Sequence, residues 1–578
     1  MTRPGLQQRT QYAAPSMPPR LRLDGITKQA LDTGRTRLIF SGGLFVLAFL
    51  VMALRLVDVT LLRQGAEPRA ATGETAGALR MDRADVVDRN GVILATNLDT
   101  ASLYANPRQV LDTAQAARKL VTVLPELDES ELQSRLSSNR AFVWIKRSLT
   151  PKQEYEVNRL GIPGLYFQRE ERRVYPQGAL ASHVVGFADI DNKGLAGIEA
   201  GFDENLRDDT APLRLSIDIR VQHVLHEELS RAVDEFHAEG AVGVVMDAHT
   251  GEVAAMVSLP DFDPNDPAHD PAEARFNRAT LGTYEMGSTF KIFTTAVALE
   301  SGVASLDDGY DASNPIHIAR YVINDYHPQA RWLSLPEIFI YSSNIGAAKM
   351  ALDVGAGRQR AFLQRLGLLQ PAHIGLPEVG TPLVPAPWRE INTMTIGFGH
   401  GISVSPLQMA SAVATVVNGG VAHDPTLIRQ APGTQPAGKR VLSEATSDAL
   451  RRLMRLNVVD GTGKRAEVPG YLVGGKTGTA EKTVAGNYSR KAVLSSFVAA
   501  FPMDAPRYVV LIMLDEPKGT DETHGFATAG WTAAPVTSRV IARMAPLVGM
   551  TPIDEDAPEV QAAMFVDINS RGRRLASF

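Results

Sequence analysis

A serine with a lysine three residues on, Ser288-Thr289-Phe290-Lys291, is the first of three short strings able to do chemistry together. Ser342-Ser343-Asn344 follows 54 residues after Ser288, and Lys476-Thr477-Gly478-Thr479 lies 134 residues beyond Ser342. Each string alone is weak, because an isolated Ser-x-x-Lys is ordinarily a serine cap followed by a solvated lysine. In this order they supply the parts of one acyl-transfer site: a nucleophilic hydroxyl, a nearby amine, a second hydroxyl with an amide, and a second amine on a strand.

The i, i+3 spacing puts Lys291 on the same helical face as Ser288. The unsatisfied N–H groups of a helix start favour negative charge developing beside the serine. A protonated lysine is no base. Burial and a second cation, Lys476, would lower its pKa. Ser342 is placed to relay a proton between the lysines and a leaving amine. Asn344 offers a donor and an acceptor for a substrate amide. The stretch 471–481, YLVGGKTGTAE, reads as a strand whose glycines, Gly478 among them, allow close backbone approach. Its Thr479 N–H would pair with that of Ser288 as an oxyanion hole. The hydroxyls of Thr477 and Thr479 would bind a substrate carboxylate.

The same strand contains a false phosphate loop. Residues 470–477 match G-x-x-x-x-G-K-[ST]. That loop needs a strand before it and a helix beginning at its lysine. Here the strand-forming residues lie inside the pattern and Gly478 interrupts any helix. The chain has no cysteine, which removes disulfides, thiol catalysis and cysteine-bound metal. It has no H-E-x-x-H, and its twelve histidines are scattered. His400 reads as a loop residue near the pocket, and Asp88 and Asp247 as turn residues. No metal and no cofactor are expected. A net charge of -5 argues against a nucleic-acid binder.

At 578 residues the chain exceeds one ordinary domain. Residues 38–54 carry no charge, and as a helix would rise roughly 26 Å, near the lower limit for a membrane span. Arg3, Arg9, Arg20, Arg22, Lys28, Arg35 and Arg37 precede it, while only Arg55, Arg63 and Arg69 follow closely. That asymmetry places the N-terminus in the cytoplasm and the bulk outside. Apolar runs around Asn90-Gly91 predict a hairpin, and 109–124 and 130–136 have helical spacing. A strand is predicted at 213–217, a helix at 219–236, a hairpin over 241–247 and 251–257, and a strand pair at 495–501 and 507–514. Strands at both ends of a long helical middle predict one sheet closed by N- and C-terminal segments. Residues 429–440 read as a polar loop.

The ordered trio resembles the penicillin-binding, serine acyltransferase superfamily. Arg83-Ala84-Asp85-Val86-Val87-Asp88-Arg89-Asn90-Gly91 is similar to the R-G-x-I-x-D-R-x-G box of class B penicillin-binding proteins, with Ala84 replacing its glycine. Tyr175-Pro176 through Gly194-Leu195-Ala196-Gly197-Ile198-Glu199 resembles the end of their non-catalytic module. Met286 stands where a proline is usual, and Gly530-Trp531-Thr532-Ala533-Ala534-Pro535 also fits. The resemblance implies an α/β (α+β type) transpeptidase domain, with antiparallel sheet and helical lobe, on an elongated pedestal behind one transmembrane helix. The layout it implies is a cytoplasmic tail 1–37, an anchor 38–57, a linker 58–79, a dimerisation-like pedestal 80–212, a transpeptidase domain 213–550 and a flexible tail 551–578.

It further implies a D,D-transpeptidase. Ser288 attacks the D-Ala-D-Ala bond of a peptidoglycan stem, Lys291 is the base, and the acyl-enzyme is resolved by a neighbouring amine. β-Lactam antibiotics would acylate Ser288 and stay. The string Gly397-Phe398-Gly399-His400-Gly401-Ile402-Ser403-Val404-Ser405-Pro406-Leu407-Gln408, with no long head insertion, looks like the division (FtsI-like) branch acting at the septum. The elongation branch, and a membrane-anchored β-lactamase or β-lactam sensor of the same fold, are the alternatives. Between Asn344 and Lys476 no Glu has an Asn four residues later, which disfavours the β-lactamase. Implied partners are stem peptides, the lipid-linked precursor, a SEDS-family glycosyltransferase and other divisome membrane proteins. The implied location is the bacterial inner membrane, single-pass, with the catalytic domain in the periplasm.

Overall fold

Alternating apolar residues at 241–246 serve two cores at once, and the catalytic-domain sheet is built on that alternation. The computed structural model describes residues 83–568, apart from 210, 319–320, 432, 435 and 485–486, together with scattered residues between 42 and 53. The expected anchor at 38–57 falls largely outside these. Gly42–Gly43, Val46–Leu47 and 49–53 are helical, and among the described residues no helix is long and apolar enough to cross a membrane.

The pedestal sheet comprises β1 (Val86–Val87), β2 (Ile93–Ala105), β3 (Val143–Leu149), β4 (Leu165–Val174) and β5 (Leu213–Arg214). The Asn90-Gly91 hairpin pairs β1 with β2, as its turn chemistry predicts. β2 also pairs with β3 and β4, and β5 runs parallel to β1. Helices Thr113–Val123 and Glu129–Leu136 close a small core around Leu103, Leu120 and Leu136. The strand expected at 213–217 is only two residues long, because Leu215 and Ser216 turn to bond Val87 and Leu427.

The catalytic sheet has β6 (Gly240–Asp247), β7 (Val253–Leu259), β8 (Gly474–Val484), β9 (Asn487–Phe501) and β10 (Tyr508–Asp515), in the order β8-β9-β10-β6-β7, all antiparallel. The C-terminal strands therefore close against the N-terminal hairpin, as expected. One face packs on α1 (Ile219–Phe236), where Gly243 leaves room for Leu225 and Leu229. The other face packs on helices of the middle segment. These include α2 (Lys291–Glu300), α3 (Leu335–Ile340), α4 (Asn344–Val354), α5 (Pro406–Val417) and α6 (Glu444–Val459). Val242, Val244 and Met246 point to this larger core, while Ala241 and Val245 point to the α1 side, where α7 (Ala533–Leu547) also packs.

Local signals set where these helices begin. Ser334 and Glu337 form a capping box at α3, and Ser405 and Gln408 another at α5, each with a proline in the first turn. Beyond α7, residues 551–568 lie against the domain: Glu555 bonds Gly470 N and Arg455, and Met564 and Val566 pack on the main core.

Candidate active site

Ser288 does not cap a helix. It sits in a 3₁₀ turn, Gly287–Phe290, and α2 begins at Lys291 with no side-chain cap. The turn carries the Ser288 hydroxyl to 2.9 Å from Lys291 Nζ. Nor is Lys291 solvated, being 1% exposed. Its amine lies 2.6 Å from Ser342 O, 3.0 Å from Ser342 Oγ and 2.8 Å from Asn344 Oδ1. Lys476 Nζ approaches from β8, 3.0 Å from Ser342 Oγ. Ser288, Lys291, Ser342, Asn344 and Lys476 thus meet in one cluster, with Ser342 Oγ between the two amines.

The acceptors around Lys291 decide what it can do. Ser342 O and Asn344 Oδ1 accept only, and Asn344 is oriented by donating through Nδ2 to Asn324 O at 2.9 Å. A neutral amine has two N–H groups. These two oxygens consume both, leaving the lone pair for a serine hydroxyl. Asn344 is therefore engaged on both sides of its amide, more than the substrate-holding role read from its type required.

Both lysines are depressed. Burial pulls Lys291 well below 10.5, the charge of Lys476 adds to that, and Asp325 opposes it. Burial alone brings Lys476 down to about 7. Two points differ from the sequence reading. Desolvation, not the second cation, is the larger cause for Lys291. And Lys476, fully buried, is itself a titrating group near neutrality. Phe339 on α3 lies beneath its amine, 5.9 Å from ring centroid to Nζ.

Protonation of Lys291 removes its lone pair, so the rate of Ser288 acylation is expected to fall on the acid side. An alkaline limb is expected as Lys476 loses its charge from about 7 upward and no longer draws an anionic ligand. Second-order acylation rates measured from pH 5 to 10 check this. A rate that rises only near pH 10, where an ordinary lysine titrates, would contradict both shifts.

β8 is the sheet edge nearest Ser288, and close approach fixes it there. A Cβ on Gly478 would lie 2.5 Å from Met286 O, and one on Gly287, whose φ is +54°, would lie 2.8 Å from Thr479 O. Thr479 O thus faces the serine turn. In a strand the N–H and C=O of one residue point the same way, so the Thr479 N–H also leaves the sheet edge on the Ser288 side. From behind, Asn457 Nδ2 bonds Gly475 O at 2.9 Å and an Arg455 guanidinium N–H bonds Val473 O at 2.9 Å, seating β8 on α6. The Thr477 hydroxyl meets Thr462 Oγ1 at 2.7 Å, and Thr479 Oγ1 accepts from Ala529 N at 3.2 Å, which spends a lone pair and leaves its proton to donate.

Sequence reasoning missed Asn324, Asp325, Thr462 and the Glu285 carboxylate, which accepts from Gly401 N at 2.9 Å and pairs with His400. None carries a periodicity or spacing signal. His400 is a paired loop residue beside the serine turn: Gly399, its neighbour, packs on Gly287. Asp88 caps the β1–β2 turn and receives Ile219 N, while Arg89 reaches Glu252 at 2.8 Å, so this box joins pedestal to catalytic domain.

A half-exposed serine backed by two buried lysines and an edge strand defines a serine acyl-transfer centre. A family model described as the penicillin binding protein transpeptidase domain matches residues 241–540, and one described as the penicillin-binding protein dimerisation domain matches residues 79–211. The chain is 42% identical to a probable peptidoglycan D,D-transpeptidase FtsI of Caulobacter vibrioides, over 90% of each chain. It is 29% identical to the peptidoglycan D,D-transpeptidase FtsI of Escherichia coli, over 79% of this chain and 82% of that one. A solved structure of penicillin binding protein 3 from Mycobacterium tuberculosis, complexed with aztreonam, superposes with a TM-score of 0.64 at 25% identity, covering 82% of this chain and 97% of that one. The chain belongs to the class B penicillin-binding proteins.

Proposed function

We propose that this protein is a peptidoglycan D,D-transpeptidase that cross-links stem peptides through a Ser288 acyl-enzyme. The observation that carries this reading is that one buried amine, Lys291 Nζ, lies within hydrogen-bond distance of both Ser288 Oγ and Ser342 Oγ. Ser288 Oγ attacks the carbonyl of the penultimate D-Ala while Lys291 accepts its proton. The Ser288 and Thr479 N–H groups hold the developing oxyanion. As the C–N bond breaks, a proton reaches the leaving D-Ala amine through Ser342 Oγ. An amine from a neighbouring stem then attacks the acyl carbon, the relay runs in reverse, and Ser288 is restored. Thr477 and Thr479 bind the terminal carboxylate, which the charge of the buried Lys476 amine behind them attracts, and Gly478 lets β8 lie against the serine turn.

The support for a place in division is the likeness to the two FtsI proteins. The support for a single inner-membrane anchor, with the catalytic domain in the periplasm, is the uncharged run at 38–54 and the arginines before it. A SEDS-family glycosyltransferase and other divisome membrane proteins are the partners this reading proposes, and the lipid-linked precursor is the source of new stems.

A labelled penicillin is expected to add covalently and stably to the full-length protein, with intact mass showing one adduct that is absent from Ser288→Ala. No adduct on the wild type, or equal labelling of both, contradicts the assignment. Rapid release indicates a β-lactamase instead. Depletion of the protein is expected to give filaments; round cells indicate elongation.

A further inference from the structure

Ser342 is held in a conformation that serine rarely adopts. Its φ is +59°, left-handed backbone that is unfavourable for a non-glycine residue and persists only where its surroundings over-determine it. The conformation turns both Ser342 O and Ser342 Oγ onto Lys291 Nζ, at 2.6 and 3.0 Å. Beyond the end of α3, a restraint on it comes from the segment Asn324-Asp325, which follows the short hairpin Ile316–Ile318 and Tyr321–Ile323. Asp325 is 8% exposed. Its Oδ2 accepts from Ser343 Oγ at 2.7 Å and its Oδ1 from Ile345 N at 2.9 Å. Ser343 Oγ in turn accepts from Gly346 N at 3.0 Å. The preceding carbonyl, Asn324 O, accepts from Asn344 Nδ2. Residues 343, 344, 345 and 346, all immediately after Ser342, are thus tied directly or through one hydroxyl to Asn324 and Asp325. Ser342 is also the left-handed residue that ends α3, where Ser343 N bonds Ile338 O at 3.0 Å.

We propose that Asp325 is a positioning residue of the acyl-transfer site, locking Ser342 in its left-handed conformation so that both of its oxygens face Lys291. The inference rests on the reading of Ser288 as the acylated nucleophile. Asp325 touches no reacting atom. It acts through Ser343 and the start of α4, and it has a second effect through its charge. The charges acting on Lys291 are those of Lys476 on β8, which depresses its pKa, and of Asp325, which raises it. Lys349, on α4, donates instead to the Asp311 carbonyl at 2.8 Å. Removing the carboxylate charge therefore lowers the Lys291 pKa further and moves the acid limb of acylation to lower pH. Removing the hydrogen bonds leaves Ser342 held only by the closure of α3, loosens its aim at Lys291 and lowers the limiting rate.

Two variants of the full-length protein separate these effects. Asp325→Asn keeps an oxygen for Ile345 N and a group for the Ser343 hydroxyl but loses the charge. Asp325→Ala loses both. With a chromogenic cephalosporin as probe, Asp325→Ala is expected to lower the limiting acylation rate on the order of a hundredfold, as misplacement of a catalytic group does, with pre-acylation binding unchanged within about twofold. Asp325→Asn is expected to lose roughly tenfold or less and to carry the acid limb toward lower pH. A structural role alone would lower the melting temperature without moving that limb. Asp325→Asn acylating at the wild-type rate with the wild-type limb overturns the inference, even if Asp325→Ala does not fold. The wild type is the control: no Ser288 adduct there overturns the reading of the site and this inference with it, whereas a normal wild-type adduct with unaffected variants overturns the role of Asp325 alone.

Discussion

Lys291→Met is expected to reduce acylation of Ser288 by a β-lactam by at least about a thousandfold, within the range that general-base removal gives when the base acts with an oriented nucleophile. Methionine fills the channel the lysine stem occupies and removes the lone pair that Ser288 Oγ faces at 2.9 Å. Lys476 does not replace it, because its amine meets Ser342 Oγ rather than Ser288. The same substitution has an unusual stability signature. A buried lysine whose folded pKa lies below its unfolded value binds fewer protons folded than unfolded. Stability therefore rises with pH between the two values, and burial of that lysine is a cost at neutral pH. Both Lys291 and Lys476 are such groups. Lys291→Met relieves that cost and also strands Ser342 O and Asn344 Oδ1 as acceptors, worth about 1–3 kcal/mol each. The net melting temperature depends on both, but the pH trend does not. Relative to wild type, the variant's melting temperature is expected to gain as pH falls from 10 to 6. Parallel curves for the two proteins across that range would show that Lys291 is not held neutral by the fold.

What the sequence made legible was what repeats or what is locally signalled. The helix at 219–236 coincides with α1, the Asn90-Gly91 hairpin forms, and the sheet closes C-terminal strands onto the N-terminal hairpin. Two of the three strings carry a local device readable in the chain, a glycine before Ser288 and a glycine-bearing strand around Lys476; the cap that Ser343 forms at the start of α4 shows only in the fold. The parts that escaped depend on contacts across long separations. Asp325 is an ordinary acidic residue until α4 starts against it, and Thr462 an ordinary hydroxyl until β8 brings Thr477 to it. The pKa of Lys476 could not be read from its type, since it follows from complete burial by α3, α6 and the sheet. Ser288 as a non-capping residue also escaped, because the 3₁₀ turn Gly287–Phe290 runs straight into α2 and a serine just before a helical run reads as its cap.

Glu199→Ala is expected to be among the most destabilising single changes in the pedestal, at about 3–5 kcal/mol, because it breaks a buried ion cluster by removing its centre. Glu199 is fully buried and takes both Arg83, at 2.6 Å, and Arg173, at 2.7 Å, on its two oxygens. Asp203 is the other carboxylate bound to Arg83, at 2.7 Å. The remaining guanidinium bonds run to backbone and amide oxygens: Arg83 to Glu199 O and Asn192 O, Arg173 to Ala84 O, Arg83 O and Asn97 Oδ1. These satisfy hydrogens but not charge. Without Glu199, Arg173 is a buried cation with no carboxylate on it, and the strands it ties, β2 and β4, lose the bridge to β1. Glu199→Gln keeps the volume and an acceptor and is expected to cost less than Ala yet well over a surface substitution. A large hydrophobic replacement of both Glu199 and Arg173 is expected to recover stability relative to Glu199→Ala, since two matched charges are expensive to bury in the first place. Urea midpoints of the three variants check the order, and an unshifted midpoint for Glu199→Ala would mean that the cluster is not what holds β1 against β2 and β4. The consequence for function is indirect. β1 carries Asp88 and Arg89 at its end, and these bond Ile219 N and Glu252 of the catalytic domain. A loosened pedestal therefore frees the catalytic domain from its mount while leaving the Ser288–Lys291 contact intact, so acylation by a small soluble β-lactam is expected to survive in Glu199→Ala at temperatures below its melting point.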